Sequence, residues 1–259
     1  MAQIKPDLAI AWPTTLDYPG FRLQLRQYRD HFAKVIIAFS NHNVFPDIHK
    51  WFPSWLEGAM AEDQVEFISW QEVEAYPAQD WAQRLSRCAW QHVTSPYMFW
   101  TQQDFLVHNP HLFQEMFDDH YQVVTHKSHY VHSNRYEPDC IFINMQLLRQ
   151  TSMNVATSSR YDHWGELSLE LSKLQPIYKT LEDLGFYTPQ DWEHLSGCTS
   201  NYAAVMFKAD NNFQGTNFHK HNRFVDYNRT ILAELQKNSI PIHPYFAALV
   251  QRIAAINNE

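Results

Sequence analysis

The sequence predicts an α/β fold of three layers, with a mostly parallel central sheet, helices on its faces and a helical C-terminal extension. Two observations carry this. Over the first hundred residues, short apolar runs alternate with stretches of helical periodicity in the order strand, helix, strand, strand, helix, strand. The 259 residues are 45% hydrophobic, enough for a sizeable core.

The elements follow in order. Leu8 to Trp12 is an apolar run closed by Pro13, a first buried strand. Phe21 to Phe32 places Phe21, Leu25, Tyr28 and Phe32 on one helical face. Val35 to Phe39 is the second strand, and Val65 to Trp70 the third, with a short helix around Trp55 to Met60 between them. Asp80 is placed to N-cap a helix, and Gln83 completes capping-box spacing. Trp81, Leu85, Cys88, Ala89 and Val93 then recur at helical intervals until Ser95-Pro96 stops the helix and starts a strand over Tyr97 to Asp104. Beyond it, Pro110 to Phe117 is a short helix, and Gln122 to Thr125 and Cys140 to Asn144 are strands, with Met145 to Gln150 turning helical. Leu167 to Leu174 and Tyr178 to Leu184 are expected as helices, the latter stopped by Gly185. Tyr202 to Phe207 is a late strand, and the tail from Asn228 is helical. The division is residues 1–225 as one catalytic domain and 226–259 as a helical extension packed on it.

Composition excludes several classes. There is no P-loop, G-x-G-x-x-G, G-x-S-x-G or H-E-x-x-H motif. Six glycines are roughly a third of what ~7% usage would give, which argues against a glycine-built dinucleotide loop. A net charge of −8 argues against a general nucleic-acid binder. Cys88, Cys140 and Cys198 form no C-x-x-C pair and are read as reduced thiols of a cytoplasmic protein. No apolar run approaches the ~18 residues of a membrane span. Aromatic residues make up 15%, a supply suited both to a core and to a cleft that stacks bases or sugars.

The most informative stretch is Ser95-Pro96-Tyr97-Met98-Phe99-Trp100-Thr101-Gln102-Gln103-Asp104. An aromatic core strand runs into two amides and an acid, at the lip where open α/β sheets bind ligands. This order of elements resembles a GT-A-type glycosyltransferase, most closely the family 2-type enzymes that use nucleotide sugars. Met98 to Asp104 is similar to that family's strand ending in Asp-x-Asp, with Gln102 at the first acid and Asp104 at the second. Glu137 to Asn144 resembles the acceptor-side strand, and Tyr161 to Leu167 the acidic motif that opens the following helix.

The resemblance, which spans roughly residues 8 to 225, implies roles. Asp104 would hold Mn²⁺ or Mg²⁺ against the donor diphosphate, with His219 as a further ligand. Glu166 or Asp162 would be the general base for an acceptor hydroxyl. Pro13, Thr14 and Thr15 end the first strand where the family binds nucleotide, and Ser69 and Trp70 end the third, where a base can stack. Arg84, Gln102, Gln103, Lys220 and Arg223 complete the expected donor contacts. The expected donor is a uridine or thymidine diphosphate sugar, transferred with inversion to a hydroxyl acceptor, a glycan or, as a minority reading, a modified DNA base. Taken alone, each residue also has a structural reading: Asp104 as a turn cap, Asp162 and Glu166 as acids near a helix N-terminus, His219 and His221 as loop residues. His126, His129 and His132 are read as surface or core histidines. Two other readings stand beside the transferase. A degenerate GT-A-like binding module is favoured by Gln102, and a sugar-phosphate nucleotidyltransferase is disfavoured because residues 12–19 contain no glycine.

Overall fold

The computed structural model describes residues 4–13, 29–40, 65–102, 105–107, 111–125, 136, 140–156, 158–160, 164–180, 182–184 and 204–206. Among them, seven strands form one sheet. They are β1 (Asp7–Pro13), β2 (Lys34–Ser40), β3 (Val65–Ile68), β4 (Tyr97–Gln102), β6 (Val123–Thr125), β7 (Cys140–Asn144) and β8 (Tyr178–Thr180), in the order β3-β2-β1-β4-β7-β6-β8. β5 (Phe105–Val107) pairs antiparallel with β9 (Ala204–Met206) in a second, small sheet. In the main sheet β1 runs parallel to both β2 and β4, and β2 parallel to β3. β7 is antiparallel to β4 and to β6, and β8 is parallel to β6, so β7 alone opposes the rest. The mostly parallel sheet predicted from the element order is therefore present.

Alternation along the strands divides the core. Ala9, Ile36, Ala38, Met98, Trp100, Ile141, Ile143 and Val123 face one side. There they meet α1 (Trp70–Ala75), α2 (Trp81–Gln91), α4 (Met145–Leu148) and α5 (Gly165–Lys173) through Val73, Leu85, Ala89, Leu148, Leu167 and Leu171. Intervening residues turn to the other side, where rings dominate. Phe99 packs against Phe32 at 5.7 Å and Phe113 at 5.5 Å, and Phe117 against Phe142 at 5.1 Å. Phe113 belongs to α3 (His111–Met116), and Phe32 follows a 3₁₀ turn at Arg29–His31. Burial of each such side chain stabilises the fold by ~1.5–3 kcal/mol.

Local signals explain most boundaries. Asp80 Oδ1 accepts the Gln83 N–H at 3.0 Å, the expected N-cap. The other half of the capping box is replaced by a longer reach. Gln83 Nε2 donates to the Met153 carbonyl at 3.2 Å, and its Oε1 accepts the Val155 N–H at 2.7 Å. The buried amide thus satisfies two backbone groups of the turn at Met153 to Val155, each bond contributing ~0.5–1.5 kcal/mol. Glu170 secures the same loop, accepting from Ser152 N at 2.6 Å and Ser152 Oγ at 2.8 Å.

Two expected elements differ. The third strand stops at Ile68 rather than Trp70. Ser69 N-caps α1, accepting the Glu72 N–H at 3.3 Å. Ser69-x-x-Glu72 is itself a capping-box sequence, so the signal was present in the chain. Tyr178 to Leu184 is not a helix. Tyr178–Thr180 is a strand and Glu182–Leu184 a 3₁₀ turn. Tyr178 to Thr180 completes the free edge of β6, and Thr180 and Asp183 exchange bonds of 3.0 Å that stop the strand. The capping and pairing bonds override the local helical pattern. Most of the helix expected over Phe21 to Phe32, the Trp55 to Met60 helix and the 226–259 extension lie outside the described residues. No helix among the described residues is long and apolar enough to cross a membrane.

Candidate active site at the carboxyl edge of the sheet

Parallel strands deliver their carboxyl ends to one edge. β3 ends there at Ile68, β2 at Ser40, β1 at Pro13, β4 at Gln102, β6 at Thr125 and β8 at Thr180, while antiparallel β7 begins there at Cys140. From β1 the order runs outward to β2 and β3 on one side and to β4 on the other. The order in which strands are added switches sides between β1 and β4, the position at which open α/β sheets form a ligand crevice beyond their carboxyl ends. Pro13 and Gln102 flank that crevice, with Ala11 the register partner of Gln102.

One contact packs a second element against β4. The Trp100 ring of β4 lies 6.1 Å from the ring of Trp164, and Trp90 of α2 meets Trp164 edge-on at 5.4 Å. Trp164 is buried and sits in the left-handed region at φ 71°. A non-glycine residue there is strained by ~1–2 kcal/mol. Its N–H donates to the Val155 carbonyl at 3.2 Å, and its carbonyl accepts the Ser168 N–H at 2.8 Å. Packing and hydrogen bonds on both sides hold the turn. Glu166 follows in the first turn of α5, half-exposed. Glu166 and Gln102 therefore each lie two residues beyond a member of the Trp100–Trp164 contact. The packing of α5 on β4 is not visible in local spacing; it rests on a contact between tryptophans far apart in the chain.

The remaining predicted site residues divide. Ser69 spends its hydroxyl on the α1 cap, and Trp70 begins that helix instead of ending a strand. Arg84, on the second turn of α2, pairs with Glu74 of α1 at 3.6 Å. Helix α5 starts at Gly165, with Glu166 in its first turn. Asp162, Thr14, Thr15, Gln103, Asp104, His219, Lys220 and Arg223 lie outside the described residues, as do His126, His129 and His132.

The opposite, amino edge carries a separate polar cluster. Glu66 on β3 pairs with Lys34 of β2, and its Oε1 lies 2.5 Å from His92 Nδ1 at the end of α2. Lys34 also donates to the His92 carbonyl at 3.0 Å. Burial alone would raise the Glu66 pKa, but bonds and charge from Lys34 and His92 outweigh it and hold the carboxyl below its ordinary 4.5. A depressed folded-state pKa gives stability that is present above 4.5 and lost as pH falls through the folded value. Glu66→Gln should therefore be less stable than wild type at neutral pH, with the gap closing below pH 4.5 in urea titrations. A gap independent of pH would show that the pair is not the source.

Galactosyltransferase LgtC, solved in complex with donor and acceptor sugar analogues, superposes with a TM-score of 0.52 over 92% of this chain and 97% of its own, at 12% identity. The chain has a GT-A fold. The apo form of glycosyltransferase GlyE from Streptococcus pneumoniae TIGR4 superposes with a TM-score of 0.51 over 91% of this chain, at 13% identity. This GT-A chain spans 64% of the length of GlyE. No family model matches it, and no curated protein matches it by sequence. The GT-A likeness is thus one of strand order and layering, as the element order predicts.

Proposed function

We propose that this chain is a glycosyltransferase that moves a sugar from a nucleoside-diphosphate sugar to a hydroxyl acceptor. The observation that supports the reading is the GT-A strand order with its switch between β1 and β4, together with α5, which carries Glu166, packed on β4 through the Trp100–Trp164 contact. In this reading the nucleotide lies beyond Pro13, and the diphosphate faces the chain leaving β4. Glu166 takes the proton of the acceptor hydroxyl as its oxygen bonds to the anomeric carbon. The bond from that carbon to the diphosphate oxygen breaks with inversion, and the nucleoside diphosphate leaves with the electron pair.

A hard divalent ion, Mg²⁺ or Mn²⁺, needs oxygen donors. Asp104 supplies one carboxylate two residues past β4. Gln102 cannot supply a second charge, but Asp139 precedes Cys140, the register partner of Thr101. Asp104 and Asp139 are the acids this reading assigns to the ion, which would neutralise charge on the leaving diphosphate.

Calorimetric titration with uridine, thymidine and guanosine diphosphates in Mn²⁺ tests the reading. Micromolar binding of one, together with slow hydrolysis of the matching donor, is expected. Absence of binding to all three would overturn it. Gln102 favours one other reading, a binding module without turnover. Nucleotide binding with no donor hydrolysis would select that one.

A further inference from the structure

We infer that the amino edge of the sheet holds a second metal site, for a borderline-soft divalent ion such as Zn²⁺, built from Glu72, Cys88 and His92. Cys88 and His92 are four apart at the end of α2, so they share one face, and Glu72 projects from α1 beside them. One ligand atom from each lies within 4.8 Å of the others, and His92 Nε2 is 3.3 Å from Glu72 Oε1. Metal–ligand bonds of about 2.0–2.3 Å in a tetrahedron need ligand atoms roughly 3.3–3.8 Å apart. The His92–Glu72 pair meets that spacing already, and a rotation of the Cys88 side chain brings in the third.

Two further observations single out this cluster. The other ring nitrogen of His92 faces the Glu66 carboxylate, which Lys34 anchors in turn. A carboxylate behind the far nitrogen is the arrangement that orients metal-binding histidines. Two carboxylates, Glu66 and Glu72, face the cluster, with Lys34 paired to the first of them. The donor set of sulfur, nitrogen and oxygen suits Zn²⁺ or Co²⁺ rather than Mg²⁺. The site joins α1 to the end of α2 at the edge opposite the crevice, and it is independent of the transferase reading.

Titration of the full chain with Co²⁺ tests it. One equivalent should produce a thiolate-to-metal charge-transfer band in the near ultraviolet, lost on stoichiometric Zn²⁺ addition. Cys88→Ser should abolish the band. Glu72→Gln, at an exposed position, should weaken Zn²⁺ binding measured against a chromophoric chelator at least tenfold. Glu66→Gln should keep the band and weaken binding about 10–100-fold. Asp104→Asn should leave the band unchanged. No thiolate band in wild type, or a band that survives Cys88→Ser, would overturn the assignment. If Cys88→Ser does not fold, Glu72→Gln decides: unchanged affinity there would equally overturn it.

Discussion

Asp7→Ala is expected to destabilise the fold by about 3 kcal/mol, since it removes three hydrogen bonds to an ionised acceptor. Asp7 is 1% exposed at the start of β1. Its Oδ2 accepts from Thr94 N at 2.7 Å, Ser95 N at 2.9 Å and Thr94 Oγ1 at 3.1 Å. These bonds fasten the first strand to the turn between α2 and β4, the two strands that frame the crevice. Charge-assisted bonds of this kind contribute ~1.5–3 kcal/mol each, but Thr94 is exposed and water can replace part of what is lost. Asp7→Asn should fall between, because its amide nitrogen must sit where Oδ1 is now buried with no hydrogen-bond partner, or displace the acceptor. Urea denaturation checks this, with the midpoint moving at constant slope. A change within about 0.5 kcal/mol, the range of ordinary surface substitutions, would mean that the clamp does not hold the two strands together.

Asp104→Asn should lower kcat/KM for sugar transfer by at least ~100-fold, the scale on which a transition-state charge stabiliser is missed. Thermal stability should be unchanged. Nucleotide affinity should lose its dependence on Mn²⁺, which separates loss of the ion from loss of the pocket. Gln102→Asp is the converse experiment: it restores an acid at the strand end and should tighten Mn²⁺ binding. If Asp104→Asn transfers sugar at the wild-type rate, the acid is a turn cap and the metal reading fails. Asp139→Asn should produce a similar but separable loss if both acids serve one ion.

The fold was largely legible in the chain because its strands are apolar runs bounded by strong punctuation. Leu8 to Ile10, Val35 to Ala38 and Met98 to Trp100 have no polar residue to confuse the period, and Pro96 marks where β4 begins. Tyr178 to Thr180 was not legible, because its conformation is set by an edge more than fifty residues earlier, as the Gln122 side chain and Ile177 N–H bond at 3.0 Å shows (|i−j| = 55). Long-range polar contacts are hidden for the same reason. Nothing local marks Asp7 as the partner of Thr94, 87 positions away. At the candidate site, the strand carrying Gln102 was found from its aromatic character. The packing of the start of α5 on β4 depends on a tryptophan in a backbone conformation that composition would never assign to it.

β7 runs against its neighbours, and this bears on how the chain can change. The connection from Thr125 to Cys140 leaves and rejoins the sheet at the same edge, with Thr125 paired to Ile141. Its two ends are fixed side by side whatever lies between them. Doubling such a loop costs only ~0.6 kcal/mol in closure entropy. Within this connection Tyr136 is buried and its carbonyl accepts from Ser168 Oγ at 3.1 Å, so changes of length between Thr125 and Tyr136 can leave the sheet register intact. If residues 126–135 meet the acceptor in the proposed transferase, acceptor choice is open to loop grafting there, whereas the clamps at the far edge admit no such freedom.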